Sequence, residues 1–65
     1  MRIYEVTFDG RVKGDPEWTP NWEKVNVAVE NGDALEAVEL ATPKVMLGKS
    51  AEVRPAEVKV LAEAW

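Results

Sequence analysis

Cysteine and histidine are both missing from this chain. Their absence rules out disulfides, thiolate metal sites and imidazole ligands. It also removes the side chains that most often serve as nucleophile and general base. Ser50 is the only serine, with no histidine to activate it, and the adjacent Lys49 is poorly placed to point at it. No apolar run approaches the roughly 20 residues a membrane-spanning helix needs. Met1-Arg2-Ile3-Tyr4-Glu5 lacks the apolar stretch of a secretion signal, so a cytoplasmic location without membrane contact is expected. Gly48-Lys49-Ser50 echoes the end of a phosphate loop but lacks the upstream glycine at the required spacing. Asn31-Gly32-Asp33 supplies only a fragment of a calcium loop and reads as a helix start. The carboxylate pairs Asp15/Glu17 and Glu36/Glu39 read as an acidic loop and a solvated helix face. No metal and no cofactor are therefore expected, and the chain does not read as an enzyme.

What is present fits one small folded domain, residues 1–65. The hydrophobic fraction is 46% and the charged fraction 31%. A chain of this length buries only about 60% of its unfolded surface, so a homodimer is an expected source of added stability. The net charge of -4 repels phosphate backbones, and the basic residues are scattered. Nucleic-acid binding is accordingly disfavoured, and a basic protein partner suits the charge better.

The periodicities give an order of elements. Residues Arg2 to Val12 alternate, with Tyr4, Val6, Phe8 and Gly10 on one face and Glu5, Thr7, Asp9 and Arg11 on the other, as a strand requires. Gly10 marks a bulge or a turn. Lys13 to Asn21 is rich in turn formers and reads as a loop. Trp22 to Glu30 reads as a second strand whose Val25, Val27 and Val29 meet the Tyr4, Val6, Phe8 face in an antiparallel pair. Asn31 or Asp33 then caps a helix with Ala34, Ala37, Val38, Ala41 and Val45 on its apolar stripe. Pro43 ends or kinks that helix, Gly48 can close the second turn, and Leu40 and Leu47 point off the stripe. The tail fits a strand through Val58 and Val60, or a helix through Val58, Leu61, Ala62 and Trp65. A strand over about Ala56 to Leu61 is favoured, because a two-stranded sheet alone is rarely stable. Pro55 places that strand at an edge or beside a bulge.

The fold class is thus α+β, in the order β-β-α-β: a three-stranded antiparallel sheet with one kinked helix on one face. The expected core is Tyr4, Val6, Phe8, Val25, Val27, Val29, Leu35, Val38, Ala41, Val45, Val58 and Val60. The other sheet face is expected to carry Ile3, Glu5, Thr7 and Arg11 beside Trp22, Lys24, Asn26 and Ala28, a mixed and solvated surface.

Three tryptophans in 65 residues stand above background. Two of them flank the Pro-rich loop, and tryptophan is enriched among interface anchors. Trp18, Trp22, Pro20 and Glu17 are therefore the candidate partner-binding residues. The competing reading folds Trp18 or Trp22 back over the sheet or the end of the core.

Tyr4-Glu5-Val6-Thr7-Phe8, Val25-Asn26-Val27-Ala28-Val29 and Asp33-Ala34-Leu35-Glu36-Ala37-Val38-Glu39-Leu40-Ala41 together resemble short ββα-type proteins of phages and bacteria. The resemblance covers about residues 1 to 45 and carries no catalytic residues. It implies a small accessory role, such as a modulator of another protein. Residues and resemblance together point to a protein-interaction module. The alternatives are a nucleic-acid binder using the open sheet face and a structural subunit of an assembly.

Overall fold

Alternating apolar and polar side chains build three strands, and a short helix interrupts them. In a computed structural model describing residues 1–30, 33–45 and 51–63, the elements are β1 (Arg2–Val12), β2 (Thr19–Val29), α1 (Ala34–Ala41), a 3₁₀ turn (Thr42–Lys44) and β3 (Ala51–Glu63). The strands pair antiparallel in the order β2-β1-β3, so the expected α+β arrangement is found, with β1 at the centre.

The register sets both faces. Tyr4 lies between Val27 and Val60, and Val6 between Val25 and Val58. These residues, with Phe8, face α1. Opposite them, Glu5 lies between Asn26 and Lys59, and Thr7 between Lys24 and Glu57. The last strand settles the ambiguous tail as extended chain. Pro55 is tolerated because β3 is an edge strand and its register slips there, leaving Ala56 as an extra residue between the pairs Thr7/Glu57 and Phe8/Pro55. A second slip leaves Leu61 extra.

The helix starts at Asp33, whose Oδ1 accepts a hydrogen bond from the Glu36 backbone N–H at 3.1 Å. Glu36 adds negative charge to the first turn, where the helix dipole favours it. Pro43 supplies no backbone donor, so the α-helix gives way to the 3₁₀ turn; the Thr42 hydroxyl donates to the Val38 carbonyl at 2.7 Å. Asp33→Ala is expected to cost about 1 kcal/mol, read as a lower urea midpoint with unchanged slope. The alternative cap Asn31, and Leu47, Gly48 and Trp65, lie outside the described residues.

The core comprises Tyr4, Val6, Phe8, Val27, Val29, Ala37, Ala41 and Val45, with Val25, Val38, Val53 and Val58 packed against it. Two expected members are not in it. Leu35 is 66% exposed, because it sits two residues before the buried Ala37 and so about 200° around the helix axis. Val60 is 47% exposed, although Val27, its counterpart on the other side of Tyr4, is 4% exposed. At the level of Tyr4 the cover over the sheet is therefore off-centre, fuller over β2 than over β3. The cover is also short along the strands. Eleven-residue strands run about 36 Å, and an eight-residue helix about 12 Å. The chain is accordingly elongated, 43 × 18 × 14 Å, with a radius of gyration of 12.6 Å. A compact chain of this length would have about 10.7 Å.

Candidate functional site: the tryptophan hairpin and the open face

The β1–β2 connection is shorter than the sequence suggests, because Thr19, Pro20 and Asn21 already belong to β2. The turn closes with the Asp15 N–H donating to the Val12 carbonyl at 2.9 Å, and Gly14 takes a φ of +94°, which a glycine adopts without strain. Asp15 Oδ1 accepts from the Glu17 N–H at 3.0 Å, and Arg11 Nη1 donates to the Asp15 carbonyl at 3.2 Å. These contacts fix the loop against the end of β1.

Trp18 emerges from this loop onto the open face. The guanidinium carbons of Arg11 and Arg54 each lie 4.3 Å from its ring centroid. Both arginines are held by carboxylates of the same face: Arg11 Nη2 by Glu52 at 2.9 Å, and Arg54 Nη2 by Asp9 at 3.6 Å. Lys24 and Glu5 extend the pattern at 3.9 Å. Three cations of the open face, Arg11, Lys24 and Arg54, are thus each matched by a carboxylate, with Trp18 as a lid at one end.

Trp22 lies on the other side. Strand alternation from Lys24 would put it on the open face, which is the sequence expectation. The structure overturns that expectation: between the pairs Phe8/Glu23 and Gly10/Thr19 the register slips, and Asn21 takes the left-handed φ of 55°. That bulge re-aims the next side chain. The Trp22 ring occupies the space where a Gly10 side chain would stand, on the helix face of the sheet. Gly10 is buried as a result, so it serves the close approach of a ring as well as the bulge. Trp22 keeps 37% of its surface exposed.

The four candidate partner-binding residues therefore do not share one face. Trp22 and Trp18 lie on opposite faces, Glu17 is exposed in the loop, and Pro20 is exposed in the β2 bulge. Both tryptophans lie against the sheet, and Trp22 keeps part of its surface exposed. Sequence reasoning missed the roles of Arg11 and Arg54. Their cross-strand neighbourhood exists only once the register is fixed.

At the opposite end, Arg2 Nε donates to Glu63 Oε1 at 2.9 Å. The Tyr4 hydroxyl, and then Glu63, hold the Arg2 guanidinium in its charged form, above its ordinary value. Among the described residues no cluster of acidic side chains is arranged to hold a metal ion, and no helix is long and apolar enough to cross a membrane. Comparison with protein-family models, with curated proteins and with solved structures finds no match.

Proposed function

We propose that this protein is a non-catalytic interaction module that holds a protein partner against the helix side of its sheet. The observation that carries this reading is Trp22, turned by the Asn21 bulge onto the helix side and more than a third exposed. A tryptophan fixed by the backbone loses little entropy when a partner covers it. Pro20, exposed two residues earlier in the strand, adds a rigid apolar surface. Glu17 offers a carboxylate to a basic partner from a loop that Trp18 and the two arginines hold in place. The open face supports the nucleic-acid reading poorly, since Arg11, Lys24 and Arg54 are each matched by a carboxylate.

Affinity capture from cells that make the protein, followed by direct binding with the purified partner, tests the reading. Trp22→Ala is expected to weaken binding about 30-fold or more. Glu17→Lys, which touches no core residue, is expected to weaken it several-fold at low salt and less at high salt. Undiminished binding by both variants, each with a native circular dichroism spectrum, would contradict the proposal.

A further inference from the structure

Two charges in the middle of β3 are left without an ion pair among the described residues. Along β3, Glu52 pairs with Arg11, Arg54 with Asp9, and Glu63 with Arg2. Glu57 and Lys59 make no ion pair among the described residues. They sit on the open face either side of Val58, within the regular segment bracketed by the slips at Ala56 and Leu61. On the opposite face, Val60 is an apolar residue of β3 left 47% exposed, and Leu61 beside it is 43% exposed.

We propose that a second copy of this chain pairs its β3 antiparallel to this one, centred on Val58, to make a continuous six-stranded sheet. Residues facing each other across an antiparallel pair share a face, so a two-fold axis must pass through a residue position of β3. Centred on Glu57, two glutamates oppose each other. Centred on Lys59, two lysines do. Centred on Val58, each Glu57 faces the partner copy's Lys59, twice over by symmetry. Val58 then meets its own copy, and Val60 faces Ala56 on the helix side. That register supplies both unmatched charges with partners and covers the exposed valine. Lysine and proline on an edge strand usually oppose pairing. Here Lys59 opposes only the neighbouring registers, and Pro55 ends the ladder one residue beyond Ala56. The inference does not rest on Trp22, which lies on the β2 side.

Sedimentation equilibrium on the full chain tests it. The wild type is expected to dimerise. Glu57→Lys and Lys59→Glu each put like charges across the axis twice, and each should raise the dissociation constant at least about tenfold. An equimolar mixture of the two variants restores opposite charges at every crossing and should dimerise at least as well as the wild type. The double variant carrying both substitutions in one chain should do so too. A strictly monomeric wild type at high concentration overturns the proposal. So does a dimer that neither single variant weakens, with circular dichroism confirming that each remains folded. Either result leaves the Trp22 reading standing, because that is read from partner binding alone.

Discussion

Phe8→Ala is expected to remove about 3–5 kcal/mol of stability. Phe8 has no exposed surface and is one of the two largest fully buried side chains. It lies on the central strand, between Glu23 of β2 and Pro55 of β3, where strands on both sides limit any collapse into the space left behind. A chain of this length has a total stability of roughly 3–10 kcal/mol at 0.05–0.15 kcal/mol per residue. The loss is therefore comparable with everything that holds the fold. Urea denaturation followed by circular dichroism should show the midpoint collapse, with a substantial unfolded population before any denaturant is added. A loss under about 1 kcal/mol would mean that Phe8 is not the centre of the core.

Gly10→Ala is expected to cost about 1–3 kcal/mol, although it adds a single methyl group to a strand. An added Cβ at Gly10 would be driven into the Trp22 ring. The ring must leave, and the end of the helix face is uncovered with it. The cost should disappear when the ring is removed first. In a Trp22→Ala background the same substitution should be close to neutral, giving a coupling of about 1 kcal/mol or more between the two sites. Urea midpoints of the wild type, both single variants and the double variant measure this directly. Equal costs in the two backgrounds would place Trp22 away from Gly10.

The span of β1, the helix cap at Asp33, the break at Pro43 and the edge position of the Pro55 strand were all legible, because each depends on local chemistry. Period-two alternation shows the strand, an aspartate with a free side-chain oxygen shows the cap, and a missing backbone donor shows the break. The extent of β2 was not legible. Pro20 and Asn21 carry turn propensity, and here they spend it on a bulge inside a strand. The side on which Trp22 lies followed from that one left-handed residue, which reverses the alternation a sequence pattern presumes. Leu35 and Val60 were misplaced for a related reason. Hydrophobicity marks a residue as able to enter a core, whereas the short, off-centre α1 decides which of them it covers. For the candidate site, the tryptophan hairpin stood out by composition alone, but the Arg11–Trp18–Arg54 stack needed the register of two strand pairs.

Amide hydrogen exchange, resolved by residue with NMR at low and high protein concentration, bears most directly on a sheet centred on β1 and covered on one side. The amides of Tyr4 to Phe8 should exchange slowest at both concentrations, since β1 has a strand on each flank. Alternate amides between Ala56 and Val60, those that point away from β1, should gain protection only at the higher concentration, while the inward ones are protected at both. Exchange in β1 as fast as in the loop at residues 13–17 would contradict that architecture.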